Sequence, residues 1–169
     1  KPNCPYTAAE LNRAWNEFGE RYKFHEYKDT FKGGGKVVIQ RQCDKNSAWE
    51  GNGINALVPN ALLQGLIGHP FICPDVVYDG EWRCFEHGAV IDEELFVRSA
   101  QCSALFPMMQ FSLSPWRVLS APSLDIVRNA AKLHTRLSGE ILRLVAESEK
   151  SGEPIIRALE YEYPNCGFE

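Results

Sequence analysis

The chain has 169 residues, of which 44% are hydrophobic and 11% aromatic, and it carries a formal net charge of -4 at pH 7. This length and composition indicate one domain with a sizeable core, and the negative charge argues against a nucleic-acid surface, which needs clustered lysines and arginines. No apolar run approaches the roughly 20 residues that a transmembrane helix needs, so the sequence predicts no membrane segment.

The first predicted helix begins at a capping box. The Thr7 side chain can accept a hydrogen bond from the Glu10 amide, while the Glu10 carboxylate reaches back to Thr7. We expect this helix to end near Tyr22. Its buried face is expected to hold Leu11, Trp15 and Phe18. A short strand is predicted at 22–27, and the glycine run at 33–35 is predicted to be a turn because it lacks the spacing of a phosphate-binding loop.

Strands and helices then alternate along the chain. Short apolar runs predict strands at 37–39, 70–73, 108–113 and 155–161. Apolar residues at helical spacing predict helices at 54–66, at 93–106 after an Asp92 cap, and at 123–150. The last of these helices is expected to bury Leu124, Val127, Ala131, Leu137, Ile141 and Val145.

This alternation predicts an α/β fold with a parallel sheet and outer helices. A closed (β/α)8 barrel needs eight strands and about 250 residues, which is more than this chain offers. The chain is therefore expected to be either a small open α/β domain or part of a barrel.

Asp44 follows a predicted strand and precedes a predicted helix. A carboxylate at the carboxyl end of a buried strand projects into the mouth of a sheet or barrel, where a catalytic acid is placed, and nearby Trp49 can form an apolar wall. Aspartate after a strand is equally an ordinary turn or helix-cap residue. The pattern alone leaves both interpretations open.

The six cysteines contain no CxxC pair, and the four histidines show no metal-ligand spacing. A chain of this length with its own core does not need a disulfide framework, so we expect free thiols, with one disulfide bridge as the alternative. We expect no metal site and no cofactor.

Several segments together carry a resemblance to a known family. They are RQCDKNSAW at 41–49, GLIGHPF at 65–71 followed by Pro74 and Asp75, ELFVR at 94–98, ALFPMMQFS at 104–112 with Pro115 and Trp116, and GEPIIR at 152–157. Each is commonplace alone, but their order and spacing resemble glycoside hydrolase family 31, in the branch that also contains bacterial α-galactosidases.

The resemblance implies a retaining α-glycosidase on a (β/α)8 TIM barrel. By this alignment, residues 1–160 are about the second half of the catalytic barrel and residues 161–169 begin a C-terminal β-rich region. The family's nucleophile, an aspartate, would lie upstream of Lys1. The expected partner is then the remaining barrel half of the same enzyme, and we expect the 169 residues alone to hydrolyse nothing.

The resemblance also implies roles for particular residues. Asp44 matches the acid/base position, and Trp49 beside it could raise the pKa of the acid by desolvation. Asp75 matches a position in the sugar pocket, with a turn role as the alternative, and Arg41 matches a pocket-facing basic residue, with an ion pair as the alternative. Trp116 is expected to stack on a sugar face, with a Pro-Trp corner packed in the core as the alternative.

Departures from the family pattern bear on the substrate. Cys43 stands where the α-glucosidase branch has glycine before its acid, and Gln110 to Ser112 replace an Arg-x-His ending. These changes favour galactose or another hexoside over glucose. Three classes remain open, which are an active retaining glycosidase acting on terminal α-linked hexosides, a non-catalytic sugar-binding relative, and an inactive structural segment.

Overall fold

The structure is a computed structural model that describes residues 4–28, 30, 32–35, 39–80 and 82–168. The strands are β1 (Glu26–Tyr27), β2 (Ile39–Arg41) and β3 (Ile72–Cys73). The α-helices are α1 (Ala8–Gly19), α2 (Leu57–Leu66), α3 (Glu93–Ser103), α4 (Pro115–Val118), α5 (Ala121–Ser151) and α6 (Leu159–Glu162). Short 3-10 helices lie at Ile54–Ala56 and Trp82–Phe85.

The three strands form one parallel sheet in the order β1, β2, β3. Gln40 in the central strand pairs with Tyr27 on one side and with Ile72 on the other. Beyond β3, Val76 makes a parallel bridge to Gln110. Since parallel neighbours need a crossover between them, α2 connects β2 to β3 across the sheet. The predicted α/β class with parallel strands is therefore present in the described residues.

Two apolar clusters support this sheet. The larger one packs α3 against α5, with Phe96 and Leu95 facing Val127 and Ala130, and the rings of Tyr78 and Phe96 stack with centroids 5.1 Å apart. The smaller one joins α2 to β3 through Leu57, Ala61, Ile72 and Phe106. Both clusters hold the segments that follow β2 and β3 against the helices.

The N-terminal helix caps that were predicted at Thr7 and Asp92 are confirmed. Thr7 accepts from the Glu10 amide at 3.3 Å, while a Glu10 carboxylate oxygen accepts from the Thr7 amide at 2.7 Å. Asp92 caps α3 by accepting from the Leu95 amide at 3.0 Å. Helix α5 ends at Gly152, whose φ of 77° lies in the left-handed region that favours glycine.

The apolar face of α1 differs from the prediction. Helix α1 ends at Gly19, and the expected buried residues Leu11, Trp15 and Phe18 are 48%, 57% and 45% exposed. Trp15 and Phe18 stack on each other with centroids 5.6 Å apart. The prediction of burial was wrong because periodicity identifies an apolar face but does not supply its cover. Tyr27 of β1 makes an edge-on ring contact with Trp15 and leaves most of this face exposed.

Two predicted strands are also absent from the described residues. In 108–113 only Gln110 makes a bridge, and 155–161 contains bends followed by α6. The bend after Pro154 is closed by Arg157, whose Nε donates to the Pro154 carbonyl at 2.7 Å. Residues 163–168 contain turns and bends. A β-rich region that begins at 161 stays a prediction. Val37 and Val38 of the predicted strand 37–39 lie outside the described residues.

The long helix α5 is close to its predicted bounds but less buried than expected. Of the predicted inward residues, Val127 is fully buried, whereas the remainder, Leu124, Ala131, Leu137, Ile141 and Val145, are half-buried. No helix in the part of the chain that the structure describes has the length and apolar character needed to span a bilayer. All six cysteines, each among the described residues, are free thiols.

His69, which follows α2, should make stability depend on pH. The residue is 6% exposed, and burial lowers the pKa of its imidazole below the ordinary 6.5. The unfolded chain takes up a proton near pH 6.5 while the folded chain stays neutral, so stability is complete above that pH and falls as the pH decreases below it. The slope from one such group is at most about 1.4 kcal/mol per pH unit.

We therefore expect His69→Gln to reduce the loss of unfolding free energy between about pH 7 and pH 5, as measured by urea unfolding. The exposed residue His87 provides the control, since His87→Gln should leave the wild-type slope in place. Equal slopes for wild type and His69→Gln would contradict this account.

Candidate active site

A buried ion pair joins the ends of β2 and β3. Arg41, the last residue of β2, donates from Nε to Asp75 Oδ1 at 2.8 Å, and its Nη2 lies 2.6 Å from the same oxygen. The Asp75 side chain is fully buried and that of Arg41 is 18% exposed. Because the carboxyl ends of parallel strands meet at one edge, the sheet itself brings these two residues together.

Arg41 also connects Asp75 to two further polar side chains. Its Nη1 donates to Glu26 Oε1 at 3.1 Å and to Gln110 Oε1 at 2.8 Å, and Gln110 Nε2 donates to Glu26 Oε2 at 2.9 Å. Burial alone would lower the pKa of Arg41, but the hydrogen bond to Glu26 and the charge of Asp75 raise it. The guanidinium is therefore a permanent cation shared between two carboxylates, and we call these four residues the Arg41 network.

Asp75 holds the segment that carries Asp44. The second oxygen of Asp75, Oδ2, accepts from the Lys45 amide at 3.0 Å, and the Gly80 amide donates to the Lys45 carbonyl at 2.9 Å. A Cβ at position 80 would lie 2.1 Å from Asp75 Oδ2 and 3.0 Å from Asp44 Cα. Only glycine allows this close approach, so the backbone beside Asp44 is fixed on two sides.

The conformation of this segment has an energetic cost. Asp75 has φ of 79° and Tyr78 has φ of 81°, both in the left-handed region that disfavours residues with a side chain. The Tyr78 amide donates to Ser99 Oγ at 2.9 Å. Hydrogen bonds to both residues thus offset the strain of a backbone that turns sharply after β3.

Asp44 itself lies at the solvent edge of this arrangement. Its side chain is 53% exposed and forms an ion pair with Lys28, which follows β1. Asn52 donates from Nδ2 to the Asp44 carbonyl at 2.6 Å. The structure thus places an accessible carboxylate directly beside a rigid, buried support.

The other predicted site residues lie in different surroundings. Trp49 is 44% exposed and donates from Nε1 to Asp92 Oδ2 at 3.1 Å, so it tethers the loop after β2 to the start of α3. Trp116 is 71% exposed on α4, beside an apolar groove of about 400 Å³ that α4 shares with α5. No described hydrogen bond or ion pair joins either tryptophan to Asp44 or Asp75, and their contact with a sugar stays a prediction.

Sequence reasoning brought Arg41, Asp44 and Asp75 together but did not single out Glu26, Lys28 or the side chain of Gln110. Glu26 and Lys28 flank Tyr27 at the end of β1, so a polar residue at the carboxyl end of this strand was the available signal. Arg98 and Glu94, at the two ends of the ELFVR segment, form an exposed ion pair at 3.6 Å.

Comparison with known proteins gives relatives of one kind. No family model matches. The chain is 30% identical over 129 residues to the SITS-binding protein of Tetronarce californica, and 32% identical over 125 residues to the myogenesis-regulating glycosidase of Mus musculus. These matches cover 76% and 70% of this chain. The chain spans less than a fifth of the length of these two curated relatives, 18% and 17%.

Solved structures show the same architecture. A cycloalternan-degrading enzyme from Trueperella pyogenes matches 91% of this chain and 23% of its own, with a TM-score of 0.73 at 17% identity. A GH31 family sulfoquinovosidase from E. rectale matches 76% of this chain and 20% of its own, with a TM-score of 0.59 at 21% identity. At these identities the likeness concerns the fold.

The fold, a parallel α/β arrangement with a polar sheet edge, matches that of solved enzymes of the glycoside hydrolase class. More particularly, the chain is related to glycoside hydrolase family 31, as the motifs in its sequence indicated. That resemblance is confirmed, whereas a closed barrel and the roles of individual residues stay predictions.

The Arg41 network should matter for stability. Asp75→Ala leaves the partly buried Arg41 with Glu26 as its remaining carboxylate and removes the acceptor of the Lys45 amide. We expect a loss of about 3 kcal/mol of unfolding free energy, which is at the lower end for a broken buried ion pair. Urea unfolding provides the measurement.

Glu94→Ala is the matched control, because it breaks the exposed pair with Arg98 and should cost much less unfolding free energy. Equal losses for the two variants would contradict the support role of Asp75.

Proposed function

We propose that this chain supplies the acid/base residue, Asp44, of a retaining α-glycosidase. The observation that carries the proposal is the placement of an accessible Asp44 carboxylate at the carboxyl edge of a parallel sheet, on a backbone held by the buried Asp75. A catalytic group must be held rigidly to be effective, and the Asp75 contact to the Lys45 amide provides that rigidity.

In this proposal, residues 1–160 are part of a (β/α)8 barrel, and residues 161–169 begin a C-terminal β-rich region. A retaining mechanism needs a second carboxylate about 5 Å from the first, which attacks the anomeric carbon while Asp44 protonates the leaving oxygen. The nucleophile is expected on another part of the same polypeptide. The barrel half that carries the nucleophile would also cover the exposed side chains of Leu11, Trp15 and Phe18 on α1.

Lys28 has a specific place in this mechanism. A carboxylate paired with an ammonium favours its charged form, whereas a general acid must hold a proton when the glycosidic bond breaks. Binding of the sugar must therefore separate Lys28 from Asp44, or replace the ammonium by an apolar neighbour. Trp49, on the same loop as Asp44, is the residue that we propose for this desolvation.

The substrate-binding roles follow the burial of each residue. Asp75 Oδ1 accepts from Arg41, and Oδ2 accepts from the Lys45 amide. In this conformation Asp75 would therefore contribute to sugar binding indirectly, by positioning Arg41 and the Asp44 loop. Arg41 would face the pocket, and the exposed ring of Trp116 would stack on a sugar. We propose terminal α-linked hexosides as substrates, of the α-galactosidase or α-glucosidase type, with no cofactor.

A non-catalytic sugar-binding role is the second candidate. The Lys28 ion pair to Asp44 favours it, because a carboxylate that an ammonium keeps in its charged form can accept hydrogen bonds from a ligand but has no proton to donate. A SITS-binding protein stands among the relatives, which is a name for binding and not for hydrolysis.

Substitution of Asp44 in the complete protein separates these candidates. Asp44→Asn should lower kcat/KM for natural α-glycosides by roughly 10²–10⁴-fold, since their leaving groups need protonation. Activated aryl α-glycosides need little protonation and should lose far less. Asp125→Asn, at an exposed position of α5, is the control and should change neither rate.

Steady-state rates on both substrate classes provide the measurement. Equal losses on the two classes would show that Asp44 is not the acid/base residue. Sugar binding with no hydrolysis in the wild-type protein would favour the binding role.

A further inference from the structure

Cys43 immediately precedes Asp44 and has no part in the proposed hydrolysis. Its side chain is exposed, and its Sγ donates to Asn52 Oδ1 at 3.6 Å. The same Asn52 donates from Nδ2 to the Asp44 carbonyl at 2.6 Å. A single amide side chain thus links the thiol to the backbone of the proposed acid/base residue.

A buried ammonium lies against this thiol. Lys45 is 3% exposed, and its Nζ lies 3.5 Å from Cys43 Sγ, 3.4 Å from the Cys43 carbonyl and 3.2 Å from Asn52 Oδ1. All three neighbours are neutral, and none of the ion pairs in the described part of the chain includes Lys45. Negative charge on the adjacent sulfur would lie within ion-pairing distance of this ammonium.

We propose that Cys43 and Lys45 form an oxidant-sensitive modification site whose natural reactant is a hydroperoxide. The reactive form of a cysteine is its thiolate, and a neighbouring ammonium stabilises negative charge on sulfur. Exposure of Cys43 gives a small oxidant access, while burial of Lys45 keeps the ammonium from being screened by solvent. This inference concerns sulfur chemistry and goes beyond the proposed hydrolysis.

The reaction is a two-electron transfer. The Cys43 thiol releases its proton to solvent, and the thiolate sulfur attacks the terminal oxygen of the hydroperoxide. The S–O bond forms as the O–O bond breaks, and the leaving oxygen takes up a proton from solvent to depart as an alcohol, or as water from hydrogen peroxide. The product is a sulfenic acid, which a thiol can reduce. The sulfur is oxidised by two electrons and the peroxide is reduced by two.

Modification would act on the loop of Asp44. An oxygen added to Sγ enlarges the side chain that Asn52 contacts, and Asn52 also holds the Asp44 carbonyl. The oxidised residue would therefore displace the acid/base carboxylate from its support without touching the Arg41 network.

The chain contains its own controls for the test. Cys4 and Cys166 are exposed like Cys43, but no described contact joins either of them to a lysine. Cys73 is the opposite case, because burial together with the charge of Glu26 raises the pKa of its thiol to about 12. The four thiols thus have three kinds of surroundings. Cys43 is exposed beside an ammonium, Cys4 and Cys166 are exposed with no described lysine contact, and Cys73 is buried.

The complete protein would be treated with hydrogen peroxide in the presence of dimedone, which traps sulfenic acids, and the labelled peptides that contain these four cysteines would be quantified by mass spectrometry over time. We expect Cys43 to be labelled at least about fivefold faster than Cys4 and Cys166, and Cys73 to stay unlabelled. A Cys43 rate equal to that of the two other exposed thiols would overturn the proposal.

Two variants test the role of Lys45. Lys45→Met removes the ammonium and should reduce the Cys43 rate to that of Cys4, whereas Lys45→Arg keeps the positive charge and should retain most of it. Lys132→Met, at an exposed position of α5, should have no effect. An unchanged Cys43 rate in a folded Lys45→Met chain would also overturn the proposal. If that variant does not fold by circular dichroism, the comparison among the wild-type thiols decides the matter.

Discussion

The buried contact between Arg41 and Asp75 is the interaction on which the rest of the sheet edge depends. Each of these charges would be costly to bury alone, and their pairing is stable because the remaining hydrogen-bonding capacity is also used. Glu26 and Gln110 satisfy the outer side of the guanidinium, and the Lys45 amide satisfies the second oxygen of Asp75. One ion pair thereby ties β1, β2, the segment after β3 and the segment containing Gln110 into a single unit.

In this unit, the residues that support the backbone differ from the residues that are exposed to solvent. Rigid, buried charges provide the support, whereas Asp44, Lys28 and Cys43 lie where solvent or a ligand can reach them. Asp75, although it lies beside Asp44, is buried and poorly placed to contact a ligand itself. The Cys43 sulfur and the proposed acid lie on the same short loop, and Asn52 contacts both residues.

The sequence predicted local structure well, but it predicted less well which apolar faces are buried by other elements. Capping at Thr7 and Asp92 could be predicted because a cap is formed by residues within one turn of each other. The parallel sheet followed from the alternation of strands and helices. The family motifs placed Arg41 and Asp75 in one site, with an ion pair as the alternative role of Arg41, but did not identify Asp75 as its partner. The exposure of Trp15 and Phe18 could not be predicted, since their cover depends on parts of a fold that lie far away in sequence or outside these residues. The side chain of Gln110 and the ion pair of Lys28 with Asp44 depend on the same kind of long-range placement, 69 and 16 residues from their partners.

Asp75 is subject to two opposing demands. Its backbone conformation is one that glycine or asparagine adopts more easily, whereas the Arg41 network needs a carboxylate at this position. A change to glycine or asparagine would relieve the backbone and leave the guanidinium without one of its two anions. A change of Arg41 alone would leave a buried aspartate without its cation. Positions 41 and 75 are thus energetically coupled, because loss of either charge leaves the other without its partner, even though 34 residues separate them along the chain.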